Sequence, residues 1–172
     1  MMMQRAGSVQ QPGTFDASGA LDRVVLDAEE RHRRRIALTG ERGTKFLLDL
    51  DRAVALKDGD GLVLDDGSMI VVVAKPEAMV EIEARSPVEL ARLAWHLGNR
   101  HTPVQIADGT LRIRRDHVLE SMLAALGGKL RPVEAPFEPE SGAHAHASAA
   151  HSEDQDHRHQ HGHAHADHEH GS

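Results

Sequence analysis

Hydrophobic and polar residues follow two different periods along this chain, and the change falls near residue 85. Before it come short runs rich in valine, isoleucine and leucine, at residues 23–27, 34–38, 45–50, 53–56, 62–64 and 68–74. Turn-forming residues separate them: Thr39-Gly40, Arg42-Gly43, residues 57–61, and Asp65-Asp66-Gly67-Ser68. Runs of that length between such punctuation predict strands joined by tight turns, with a hairpin at Asp66-Gly67.

After residue 85 the period becomes helical. Ser86 is a good N-cap, Pro87 suits the first helical position, and Glu89 follows three residues after the cap. Val88, Leu90, Ala91, Ala94, Trp95 and Leu97 recur at roughly helical spacing, predicting a helix over 87–97. Gly98 can supply a left-handed residue to end it, and Pro103 keeps the following chain extended. Alternation at 79–84 predicts a strand before this helix. Residues 103–107 and 110–114 predict a hairpin around Asp108-Gly109. Asp116 can cap a second helix over 117–126, ended by Gly127-Gly128, and 130–133 predicts a last strand.

The order β-α-β-β-α-β is that of a ferredoxin-like domain. The fold class is therefore α+β: an N-terminal all-β module, a ferredoxin-like βαββαβ domain, and a His-rich tail. Residues 1–20 are polar and aperiodic and are expected to be a disordered leader. The β-rich domain occupies 21–76, the ferredoxin-like domain 77–140, and the tail 141–172. Pro136 and Pro139 mark 134–142 as an exit linker. From Ala143 the composition offers almost nothing to bury, so disorder is expected there.

Composition narrows the chemistry. The 172 residues include no cysteine, which excludes disulfides, thiolate zinc sites and a cysteine nucleophile. A metal must be held by imidazole, carboxylate or backbone groups. Net charge is −7, and no basic footprint for nucleic acid is present. No signal-like apolar core opens the chain, and no apolar run approaches the ~18 residues of a membrane span, so a cytoplasmic protein without membrane association is expected. Residues 29–35 crowd Glu29, Glu30 and four arginines around His32, which reads as a solvated, charged edge or a contact for an acidic partner. Asp58, Asp60, Asp65 and Asp66 lack calcium-loop spacing and read as turn residues. Nothing matches a nucleophile–base signature, a phosphate loop or an HExxH pattern, so no enzyme is expected.

Histidine is the residue that stands out. Ten of the fourteen lie in the tail: His144, His146, His151, His157, His159, His161, His163, His165, His168 and His170. They alternate with Ala, Gly, Asp and Glu, unlike the continuous run of a purification tag. Pairs such as His161/His163 can chelate Ni2+, with Zn2+ or Cu2+ also accepted. Each ligand must be deprotonated, so tail affinity should fall as pH drops through about 6.5. In the body, His96 sits in the last turn of the first helix, where the helix dipole favours a cation. His101 lies just beyond. Five residues apart, the two would be separated by about 140° even on a continuous helix, so they form no chelating pair. One chain offers an incomplete site here, whereas two chains meeting at this loop could complete it. His117 opens the second helix, where the dipole disfavours a cation and a neutral, ligating imidazole is reasonable.

The block His96-Leu97-Gly98-Asn99-Arg100-His101, with Pro103-Val104-Gln105-Ile106 behind it, resembles the signature of the urease accessory nickel chaperones, the UreE family. Residues 111–119, Leu126-Gly127, Pro136-Phe137-Glu138-Pro139-Glu140 and the His-rich tail continue the resemblance, which runs from about Leu26 to the end. The resemblance implies a homodimer formed through the C-terminal domain, with His101 of each subunit holding one shared nickel ion. It implies an auxiliary role for His117, although Arg115 stands where some members carry a histidine. His96 matches as well, with a structural hydrogen-bonding role expected. The implied function is delivery of nickel for assembly of the urease metallocentre, with the urease accessory GTPase and the urease apoprotein–accessory complex as partners and the N-terminal module as a protein-contact surface. The alternatives are a His-rich nickel or zinc store, and an adaptor to which metal is incidental.

Overall fold

The computed structural model describes residues 3–141. The tail histidines, and the expectation of disorder around them, lie outside these residues. The chain divides into two units at 140/141, and the strands and helices described below belong to the first.

Six strands build the first sheet: β1 (Gln4–Gln10), β2 (Asp22–Leu26), β3 (Arg35–Thr39), β4 (Lys45–Asp49), β5 (Gly61–Leu64) and β6 (Met69–Ala74). Their order is β2-β6-β5-β1-β4-β3. The expected disordered leader is thus corrected. Residues 4–10 form an inner strand, parallel to β4 and antiparallel to β5. Ala6 is its one fully buried residue, so the strand is held through its backbone and leaves almost no hydrophobic trace in the sequence. β2 and β4 alternate between core and outer positions as their sequences require, whereas β5 and β6 are largely buried on both faces. Val24, Leu26, Phe46, Leu48, Leu62, Leu64, Ile70 and Val72 fill one core.

Residues 53–56 are a second correction, because they join no strand. Their burial signal has another cause. Leu56 plugs the core, and its amide donates to the Arg31 carbonyl at 2.9 Å. The aspartates behave as turn residues. Asp60 accepts from the Lys57 amide at 2.8 Å, Asp58 from Ala74 at 2.8 Å, and Asp66 from Ser68 at 2.9 Å.

The second sheet contains β7 (Pro76–Glu83), β8 (Gln105–Ala107), β9 (Thr110–Arg114) and β10 (Lys129–Pro136), with α1 (Pro87–Asn99) and α2 (His117–Ala125) between them. Its order is β10-β7-β9-β8 with every pairing antiparallel, which is the ferredoxin-like arrangement. Val80, Ile82, Leu111 and Ile113 form one face of the core, met by Leu93 and Leu97 of α1 and Leu123 of α2. On β7 the intervening residue Glu81 is buried, hydrogen-bonded to Arg112 of β9 at 2.8 Å and to Arg131 of β10.

β10 runs past the expected 130–133 to Pro136, and Phe137 beyond it is fully buried. The exit linker therefore does not begin at 134. Pro132 and Pro136 disguised the strand, yet an edge strand tolerates proline where the missing N–H faces outward. Phe137 lies where the two sheets meet. Arg114 stacks 5.1 Å over its ring and pairs with Glu77 at 2.8 Å, while Glu77 accepts the Ala28 amide at 3.0 Å.

Candidate metal centre

Ser86 caps α1 as its sequence requires, its hydroxyl accepting from the Glu89 amide at 3.2 Å. The apolar residues of this helix divide between two faces. Leu90, Leu93, Ala94 and Leu97 pack onto the sheet. Val88 and Trp95, seven residues apart, lie on the opposite face and are 62% and 64% exposed. The periodicity had gathered both sets into one stripe. Trp95 touches His96 edge to face, with ring centroids 5.1 Å apart. This aromatic contact, rather than a hydrogen bond among the described residues, is what His96 makes.

The helix does not end at Gly98. It continues to Asn99, with Arg100 as C-cap, and the left-handed residue is His101 at φ +53°. The His101 amide donates to the Gly98 carbonyl at 3.0 Å, and the Thr102 amide donates to the Leu97 carbonyl at 3.2 Å. Together these make a complete Schellman motif. His101 is the only non-glycine residue at positive φ among those described. Its conformation costs roughly 1–2 kcal/mol relative to glycine. The imidazole is exposed, so that cost is not offset by packing.

His117 occupies the first position of α2 and is also exposed. Asp116 caps this helix, accepting from Val118 at 2.9 Å and Leu119 at 3.0 Å. Arg115 is held by a two-point pair with Glu120, at 2.7 and 3.1 Å, and the hydrogen bonds from Arg115 lower the Glu120 pKa. Arg115 thus anchors the helix start and is unavailable for ligation by its chemistry as well as by its engagement. Among the described residues no three His, Asp or Glu side chains converge on one point. His96, His101 and His117 are therefore not assembled into a site within one chain, and the tail histidines lie outside the described residues.

Two family models together span nearly the whole chain. The N-terminal domain of the UreE urease accessory protein matches residues 2–75, and its C-terminal domain matches residues 77–170. The chain belongs to the UreE urease accessory protein family. Among curated relatives, the UreE of Rhodopseudomonas palustris strain HaA2 is 62% identical over 125 residues, covering 73% of this chain and 58% of its own length. The UreE of Bradyrhizobium sp. strain ORS 278 is 58% identical over 125 residues, covering 73% and 60%. That of Beijerinckia indica subsp. indica is 53% identical over 142 residues, covering 83% and 82%. The alignment thus spans less than two thirds of the first two UreE proteins. The N-terminal UreE domain starts at residue 2 and so takes in β1, in keeping with that strand's inner place.

Sequence reasoning missed two residues that matter to the framework. Arg31, read as part of a solvated charged run, is only 4% exposed, and its guanidinium donates to the Leu56 carbonyl at 3.1 Å and the Phe137 carbonyl at 2.5 Å. Asp22 is buried beneath the β3–β4 turn and accepts backbone donors from Arg23 at 2.7 Å, Arg42 at 3.0 Å and Thr44 at 3.2 Å. The flanking glycine was the available signal for Asp22, because a Cβ at Gly40 would overlap its carboxylate.

Proposed function

We propose that this UreE-family chain is a non-catalytic nickel metallochaperone that delivers Ni(II) during urease maturation in the cytoplasm. The role in urease maturation comes with the family, and the nickel step comes from the residues. One observation carries the reading. His101 is an exposed imidazole fixed in a strained left-handed conformation by a complete helix-ending motif. Strain held at an exposed, chemically competent side chain is characteristic of functional positions.

A single imidazole binds an ion weakly. Two of them related by a two-fold axis bind it well while leaving the remaining positions open for handover. The outward face of α1, with Val88 and Trp95 exposed, supplies apolar surface for such a homodimer beside the His101 loop. Nickel here is cargo. The tail histidines gather it, with zinc or copper also able to bind, and His101 holds the ion to be passed on. The urease accessory GTPase and the urease apoprotein–accessory complex would receive it, and no nucleic acid or membrane partner is invoked. No helix among the described residues is long and apolar enough to cross a membrane.

The test is nickel titration calorimetry combined with mass in solution. It uses the full chain and a variant with the ten tail histidines replaced by alanine, each with and without His101→Ala. One nickel per dimer in the tail-alanine chain, lost with His101, is the expected result. Absence of nickel binding in the tail-alanine chain would make the protein a His-rich nickel or zinc store.

A further inference from the structure

β10 ends at Pro136, paired with Pro76 at the start of β7. α1 runs back along β7, so its C-terminal end and His101 lie at this same end of the sheet. They do not lie at the same edge, because β10 and β8 are the two outer strands. The chain leaves β10 and crosses. The Glu138 amide donates to Gln105 Oε1 on β8 at 3.1 Å, and the Glu140 amide donates to the Val104 carbonyl at 2.8 Å. Three strand spacings amount to about 14 Å. The residues from Pro136 to Glu140 span about 13–14 Å when extended. The segment is therefore a short strap with little slack, and it crosses the sheet diagonally, because Gln105 is level with Glu81, five residues along β7 from Pro76.

Its near end is fixed by Arg31. This guanidinium is buried without a carboxylate partner, and its Nε has no hydrogen-bond partner among the described residues. A cation in that position is costly to keep. What it does there is bond one carbonyl on each side of the junction, Leu56 in the first sheet's module and Phe137 at the head of the strap. Lys57 of the same module adds a 3.9 Å pair with Glu138.

We infer that Arg31, Gln105 and the Val104 carbonyl moor residues 137–140 so that the chain is led from the β10 edge to the β8 edge and released beside the His101 loop. The inference rests on the nickel reading above and assigns Arg31 and Gln105 as positioning residues within it. Val104 is three residues from His101, and His144 is four residues beyond Glu140, distances of at most about 10 and 14 Å along the chain. A moored exit raises the effective concentration of the first tail histidines at His101, whereas an exit free from Pro136 onward would dilute them.

Two readouts on the full chain test this. Amide hydrogen exchange in the metal-free protein reports the strap at Glu138 and Glu140. Trp95 is the only tryptophan and there is no tyrosine, so its emission, quenched by Ni(II) at the adjacent loop, reports arrival at His101 from a tail loaded with limiting nickel. Gln105→Ala and Arg31→Met are expected to speed exchange at both amides by about tenfold. They should slow nickel arrival by about fivefold while leaving affinity at His101, measured in the tail-alanine background, unchanged. Gln105→Glu, which keeps an acceptor for the Glu138 amide, should restore both. A merely structural role would lower stability without separating arrival rate from affinity. If Arg31→Met fails to fold, Gln105→Ala decides alone. Unchanged exchange in Gln105→Ala, or faster exchange with unchanged arrival, overturns the inference. If the wild-type chain itself shows no transfer to His101, the chaperone reading fails first and the positioning role goes with it, while the exchange data still show whether the strap is moored.

Discussion

His101 and Gly127 occupy the same position of the same motif, one at the end of each helix in the C-terminal sheet. Gly127, at φ +91°, donates to Ala124, and Gly128 donates to Leu123 at 2.9 Å. His101, at φ +53°, repeats those bonds to Gly98 and Leu97. Glycine is the residue this position selects on physical grounds, and α2 has it. α1 has a histidine that stability alone does not favour.

His101→Gly should therefore stabilise the fold by up to about 1 kcal/mol while removing the proposed nickel ligand. Thermal unfolding should show a rise of about 2–4 °C at most. A clear fall would mean that the imidazole makes a stabilising contact and that the left-handed conformation carries no net strain.

Trp95→Glu should leave folding intact, since this side chain is outside the core, and should weaken the proposed self-association. An aromatic anchor at an interface contributes about 2 kcal/mol or more, roughly thirtyfold in Kd. Sedimentation across a concentration series reads the shift towards monomer. An unchanged dissociation constant would place the dimer contact elsewhere.

Asp22→Asn should destabilise the N-terminal module and flatten its acid limb. Burial pushes the Asp22 pKa up, but hydrogen bonds from the Arg42, Arg23 and Thr44 amides outweigh this and hold it at about 2. A folded pKa below the unfolded value gives stability that is complete above pH ~4 and is lost as pH falls towards 2. The asparagine variant presents one acceptor where the carboxylate had two, at a cost of about 1–3 kcal/mol near neutral pH. Urea unfolding at pH 7 and pH 3 should show the difference from wild type shrinking at the lower pH.

Glu81→Gln tests the second sheet in the same way. Hydrogen bonds from Arg112 and then Arg131 lower the Glu81 pKa against the effect of burial. Neutralising it leaves two guanidinium groups facing each other with no carboxylate between them. Arg131 is largely exposed, so screening limits the loss to about 1–2 kcal/mol, to be read as a lowered denaturant midpoint. No change in midpoint would show that the row of charges contributes nothing net.

The ferredoxin-like half was legible because its signals are local: a serine cap, a proline at N1, a Gly-Gly stop and alternating strands. The left-handed ending of α1 was not, because Gly98 offered itself as the obvious candidate and the chain used His101. The two faces of α1 could not be separated by spacing, since Trp95 and Leu97 are equally apolar and differ only in what lies opposite. Arg31 was hidden in a charged run whose other arginines do face solvent. His101 is singled out as a candidate by its neighbours in sequence, and its left-handed conformation is visible only in the fold.

The inner place of β1 bears on how the chain is made. The ribosome finishes this strand first, yet its partners β4 and β5 emerge some forty to sixty residues later. At about 5–20 residues per second the strand waits several seconds without a partner. An apolar strand left open for that long would invite intermolecular pairing. The Gln, Arg, Ser and Gln side chains that concealed β1 from a hydrophobicity reading are what keep the nascent chain hydrated until the sheet can close around it.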